Sequence, residues 1–317
     1  MPELEDYGGP FDPDMGLEDF SKEALIKIVK EYSRLYLILQ GSWHTLVRER
    51  FGDRANIDLD CYQWMVSGPA NAHWLSRALK IEPRNVESYF RALQLDPSFP
   101  LALFDVDYEL VNENHGFITC KRCTALDAYE AEGSGHEVPM CHEEEPATFA
   151  YAALYHNPKM VIKPLKLPPR KSRNEIACKW ECKIDPTFSP TDSLSRESLR
   201  ERILAKTRSS GAIDPAKRDA SREWSEGLVL EYWTLLPDDT KAVMRMIARN
   251  PEGCLKDELL DELGIEIEEL SHRFGYAYLP FFVGDFPPLA HPVRILTDPW
   301  RYEMEGTLAG TIIRLSL

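Results

Sequence analysis

The chain holds 317 residues, 44% of them hydrophobic and 28% charged, a globular composition with length enough for two ordinary domains. Its 37 basic and 52 acidic side chains leave a formal charge of −15, which repels phosphate backbones and argues against nucleic acid as a partner. No apolar run approaches the ~20 residues of a membrane span, and Met1 to Asp14 is acidic rather than a basic, apolar leader, so the expected location is the cytoplasm.

Residues 1–16 read as a flexible acidic lead. From Ser21 to Arg50, apolar side chains recur at helical spacing (Leu25, Ile28, Val29, Tyr32, Leu35, Tyr36, Leu39, Trp43), with Ser21 as N-cap and Gly52 as stop. A second helix, Asp58 to Leu79, is expected to break or kink at Gly68-Pro69. A third, Pro83 to Leu95, begins with proline, where helices tolerate it. Trp43, Trp64 and Trp74 are expected to anchor a core between these helices.

The period then changes to two. Phe104, Val106, Tyr108 and Leu110 alternate with Asp105, Asp107 and Glu109, the pattern of a half-buried strand. A turn at Asn112–Gly116 leads to a second strand, Phe117 to Cys120. Helices are expected over Thr124–Ala131 and Glu143–Tyr155, and further strands over Met160–Leu165 and Ile176–Ile184. The fold class is α+β: N-terminal helices followed by an antiparallel sheet with covering helices, over residues 17–190.

Residues 191–227 read as a charged linker. Arg196 to Arg222 is its one basic stretch, diluted by Glu197, Glu201 and Asp219, as on a solvated helix. Residues 228–317 form a small, mainly helical unit with the rhythm of a helix-turn-helix. Its expected helices are Asp238–Arg249, Lys256–Leu263 and Glu266–His272, followed by an irregular tail that ends strand-like over Leu308–Leu317. Eight basic against fifteen acidic residues in this unit oppose phosphate contact, so packing or homodimerisation is its expected role.

Seven cysteines without an export signal point to metal binding or thiol chemistry rather than disulfides. Cys120-Lys121-Arg122-Cys123 is a CxxC where a strand enters a turn, and Cys141, Cys178 and Cys182 follow. Ile176, Cys178, Trp180, Cys182 and Ile184 share one strand face, which sets the α-carbons of Cys178 and Cys182 roughly 13 Å apart. Thiolates on one tetrahedral ion lie only about 4 Å from each other, so the two cannot share it without a bulge. The expected metal ligands are therefore Cys120, Cys123, Cys141 and Cys178, with Cys182 as alternate and His142 or His136 able to replace a thiolate. Zinc and an iron–sulfur cluster both suit four thiolates. The bland reading stands beside this: cysteine is among the most buried residue types, and Cys178 with Trp180 can be simple core.

Several of these residues carry a resemblance. Ser21-Lys22-Glu23-Ala24-Leu25, Gly41-Ser42-Trp43, Arg50-Phe51-Gly52, Ile118-Thr119-Cys120, Cys141, Asn157-Pro158-Lys159, Pro168-Pro169 and Cys178-Lys179-Trp180-Glu181 together resemble bacterial and archaeal proteins related to L-2-amino-thiazoline-4-carboxylic acid hydrolase. A more distant likeness is to vinyl-reductase-type ligand domains. The similarity runs from Leu17 to Ile184. It implies a small-molecule-handling domain, a hydrolase or lyase acting on C–N or C–S bonds, and it favours Cys178 over Cys182. In that family a cysteine commonly precedes the Pro-Pro pair; here Leu167 stands there, and Cys123 is the candidate for the vacant place.

Candidate catalytic groups are Cys182 as a spare thiol beside the site, His142, and Glu144 as a proton acceptor within Glu143-Glu144-Glu145 at a helix start. His44 and His73 read as satisfied helix histidines. No P-loop, dinucleotide fingerprint, G-x-S-x-G or H-E-x-x-H is present. The alternative to an enzyme is a ligand- or redox-sensing module, or an iron–sulfur electron carrier.

Overall fold

The hydroxyl of Ser21 accepts the Ala24 N–H and starts α1 (Lys22–Phe51); Gly52, at φ +87°, ends it and turns the chain into α2 (Asp53–Ala78). The computed structural model describes residues 3–100, 103–188, 224–283, 292–297 and 299–315, with the isolated positions 201 and 205. The expected break at Gly68-Pro69 does not occur: α2 runs through Pro69, which is buried. Packing along its length outweighs one lost donor and the ring clash, a cost of about 3 kcal/mol. Next comes α3 (Val86–Leu93), begun not by Pro83 but by a capping box. Asn85 accepts the Ser88 N–H, and the Ser88 hydroxyl accepts the Asn85 N–H. The tryptophans are not the expected anchors. Trp74 is 61% exposed, while Trp43 and Trp64 are half-buried.

Strands β1 (Phe104–Asn112), β2 (His115–Cys123), β3 (Met160–Lys166) and β4 (Cys178–Ile184) form an antiparallel sheet in the order β1-β2-β4-β3. The α+β class holds, with helices preceding and covering this sheet. Strand β2 extends three residues beyond its expected end, to Cys123, because it pairs with β1 along its length, past a bulge at Asp105/Val106. The β2–β4 register sets Cys120 opposite Cys178 and Gly116 opposite Cys182. A side chain at Gly116 would meet the Phe90 ring and the Glu109 carbonyl, so only glycine fits where α3 crosses the sheet.

Between β2 and β3 lie α4 (Thr124–Glu132), a short turn α5 (Glu137–Pro139), a π-turn (Met140–Glu144) and α6 (Glu145–His156). The expected helix over Glu143–Tyr155 thus starts as a π-turn. Val86, Tyr89 and Phe90 of α3 and Ala153 of α6 pack with Ile118, Met160, Ile162, Trp180 and Cys182 of the sheet.

The second segment contains α7 (Glu226–Leu235), α8 (Asp238–Arg249), β5 (Cys254–Leu255), α9 (Lys256–Leu263), α10 (Ile267–Gly275), α11 (Leu279–Val283), β6 (Val293–Thr297), β7 (Trp300–Met304) and α12 (Gly306–Leu315). Strands β5, β7 and β6 form a second antiparallel sheet in the order β5-β7-β6, packed against α8 and α9. The strand-like tail is in fact α12. Leu308, Ala309 and Ile312 share one helical face and bury it against α7 and α8, so period 3.6 wins over the β-branched run. One hydrophobic core spans both segments, with Ile57, Cys61, Tyr151 and Leu154 in the same cluster as Tyr232, Met244, Leu270 and Tyr278. The charged stretch Arg196–Arg222 lies outside the described residues save for positions 201 and 205. No helix among the described residues is long and apolar enough to cross a membrane.

Candidate functional site

A cavity of about 1120 Å³ opens between α1, α2, α4, α6 and the sheet. Cys120, Cys123, Cys141 and Cys178 all line it; Cys61, Cys182 and Cys254 do not. Cys120 and Cys178 face one another because the strand register makes them partners. Cys123 ends β2 and caps α4, where its sulfur accepts the Leu126 N–H at 3.3 Å. Hydrogen bonding from the Cys120 thiol, with the Leu126 and Ala125 amides behind it, holds Cys123 below its ordinary pKa despite burial. The same contact, together with that to Cys178 and burial, pushes Cys120 far up. Cys141 comes from the π-turn, its thiol raised by burial and by the neighbouring Glu145, Cys123 and Cys178. Among the described residues, no three His, Cys, Asp or Glu side chains are already set around a point that could hold a metal ion.

Cys182 sits four residues from Cys178 on β4. It is fully buried in the core cluster beneath the sheet, with its thiol raised by burial. That environment is packing rather than a nucleophile's. Of the two thiols on this strand, Cys178 lines the cavity and Cys182 does not.

The π-turn deals its residues to different neighbours, since an extra residue per turn offsets the side chains. Cys141 and Glu144 go to the cavity. Glu143 instead meets Arg54, which donates to it and to Asp58, and it accepts the Tyr278 hydroxyl at 3.0 Å. His142 points away towards α10: Nδ1 meets Ser271 Oγ at 2.7 Å, Nε2 meets the Pro168 carbonyl, and the ring lies edge-on to Trp300. Burial lowers its pKa to about 4. Its nitrogens are occupied and it does not line the cavity, so it is a structural residue, not a catalytic one.

Glu144 is joined at the cavity by Asp60 from α2 and Glu145 from α6. Burial pushes Asp60 up to about 7 against the bond it accepts from Gln40 Nε2 at 2.5 Å, with Glu145 adding to the rise. Burial alone moves Glu145 to about 7. Glu144 is pushed well up by burial, then by Asp60, Glu145 and Glu143. His44 lines the same wall. Its Nε2 lies 2.7 Å from Asn56 Nδ2 and 3.6 Å from Asp60, and burial, His136 and Arg48 depress it to about 4. It is a neutral imidazole. His136 is buried beside His44, 5.4 Å between ring centres, and does not line the cavity. His73 pairs with the Tyr155 hydroxyl at 3.0 Å.

Sequence reasoning missed Asp60, and it took from the run Glu143-Glu144-Glu145 only Glu144 as a candidate. The available signal was α2 itself, a long helix with Asn56, Asp58 and Asp60 all buried and no clean apolar stripe. The wall also carries the aromatics Trp64, Tyr89, Phe99, Phe149 and Trp180, with Phe149 and Trp180 at 4.6 Å, and the charged residues Arg34, Arg48, Asp96 and Glu132. The Tyr89 hydroxyl and Trp180 Nε1 are buried without a hydrogen-bond partner. A concave, largely apolar wall with a few convergent polar groups is what a small-molecule site requires. Compared with known proteins, the chain matches no family model, no curated protein and no solved structure.

Proposed function

We propose that this is a cytoplasmic small-molecule-handling protein with a zinc–thiolate site in the cavity wall, acting as a hydrolase or lyase on a C–N or C–S bond. One observation carries the reading: four cysteines spread over Cys120–Cys178 line one cavity, and the other three do not. Cys120, Cys123 and Cys178 would supply three thiolates and Cys141 the fourth, or leave that position to a substrate. Zinc suits this set better than an iron–sulfur cluster, because Cys120 touches both Cys123 and Cys178 whereas a cluster keeps its cysteines further apart. The bond type rests on the resemblance to the thiazoline-carboxylate hydrolase group. Buried carboxyls near 7 are suited to protonating a leaving nitrogen or sulfur.

Metal analysis and an absorption spectrum of anaerobically purified protein test it. About one zinc per chain and no visible absorption is the expected result. A metal-free protein would remove the reading, and a coloured one would replace zinc by a cluster. A second reading, a thiol redox sensor, is favoured by the lowered Cys123 beside the raised Cys120.

A further inference from the structure

We infer that the cavity receives an organic cation with a flat apolar body, its protonated amine held by Asp60, Glu144 and Glu145 and its ring held between Trp64 and Phe149. The inference shares the cavity with the reading above but not the metal.

The carboxyls come first. Asp60 and Glu144 are 2% and 3% exposed, and no Lys or Arg among the described residues pairs with either of them or with Glu145. Next to them in the same fold, the buried acids Glu143 and Asp58 are both paired with Arg54. A buried carboxyl cluster left without a cation is costly, and an ammonium group entering it would restore both charge and hydrogen bonding. These three acids are not set around one point that would coordinate a metal ion. An ammonium, with three donors and no fixed coordination geometry, fits such a spread arrangement better.

The ring follows from helix geometry. Asp60 and Trp64 on α2 are four residues apart, and so are Glu145 and Phe149 on α6; all four line the cavity. Residues at i and i+4 share a face, one turn or about 6 Å along the axis. Asp60 acts on Glu144, next to Glu145, while a side chain at Gly68 would touch Ala152, so α2 and α6 run parallel. The two aromatics therefore fall at the same level, one turn beyond the acids. The cavity thus has an acid end and an aromatic end separated by the distance between the amine and the ring of an arylethylamine. Tyr89 and Trp180 of the same wall add a hydroxyl and an indole Nε1 that are buried without a hydrogen-bond partner.

Three probes with one ring and different charge test this: tryptamine, its neutral alcohol tryptophol, and indole-3-acetate, each titrated calorimetrically into the full-length protein. Tryptamine should bind at least about tenfold more tightly than tryptophol, and indole-3-acetate most weakly. In the double variant Asp60→Asn, Glu145→Gln the ratio of tryptamine to tryptophol affinity should fall to about one. Equal binding of the amine and the acid, survival of the amine preference in the double variant, or binding of none of the three would overturn the proposal. The comparison of probes on the unaltered protein stands even if the double variant does not fold. Zinc content of the same samples separates the two readings: zinc without amine preference sinks only this inference, and amine preference without zinc sinks only the metal.

Discussion

Replacing Glu145 by Gln should stabilise the ligand-free protein above neutrality and do nothing of the kind in acid. Glu145 is half-buried, and desolvation moves its pKa from 4.5 to about 7. The folded state therefore keeps a proton that the unfolded chain releases above 4.5. A raised carboxyl gives stability that is fully present below 4.5 and lost as pH climbs to about 7. At about 1.4 kcal/mol per pH unit the loss amounts to roughly 3 kcal/mol. Glutamine has the same shape and no charge to bury, so it escapes this loss, though an amide without partners costs about 1 kcal/mol. The Glu145→Gln variant should then be more stable than the parent by about 2 kcal/mol at about pH 8 and slightly less stable at about pH 4.5. Urea unfolding followed by tryptophan fluorescence across this range measures both. A constant difference at all pH values would refute the reasoning, because only a carboxyl that titrates inside the fold makes the gap depend on pH. Asp60, also near 7, leaves a residual slope in the variant that Asp60→Asn should remove.

Further outcomes are expected from other parts of the fold. Arg54→Ala strands Glu143, which is 1% exposed, beside Asp58 and should cost about 3–5 kcal/mol; pairing it with Glu143→Gln should recover much of that in a thermal melt. Cys120→Ser should lower bound zinc and stability together, whereas Cys182→Ser should leave the metal in place; equal zinc loss in both would disperse the proposed ligand set. With metal removed, a thiol reagent near neutral pH should modify Cys123 before all others and leave Cys182 protected, as peptide mapping would report. Duplex DNA should not be retarded at physiological salt. Helix α10 is packed on β3 and α6, with His272 Nδ1 at 3.1 Å from the Ile162 carbonyl and Glu269 paired with Lys163. A salt-dependent shift would require that interface to open.

Much of this protein is written locally. The boundaries of α1, α8 and α9 follow from Ser21, Gly52 and apolar spacing, and the existence of the β1–β2 hairpin from period two and the Asn/Gly turn, because caps and periodicity act within a few residues; the end of β2 at Cys123 is set by its pairing with β1. The separation of Cys178 from Cys182 was equally legible, since strand rise alone fixes it. What the tertiary structure decided is everything that depends on a neighbour distant in sequence. The continuity of α2 through Pro69 and the helical form of α12 come from the surfaces they bury. His142 looked like a ligand beside Cys141, yet a π-turn hands it to Ser271 and hands Glu144 to the cavity, and a one-residue offset of that kind leaves no mark in composition. Asp60 and Glu145 are ordinary helix acids in the sequence. They become a site only because α2 and α6 lie side by side, bring both carboxyls into one dry wall, and set Trp64 and Phe149 one turn beyond them.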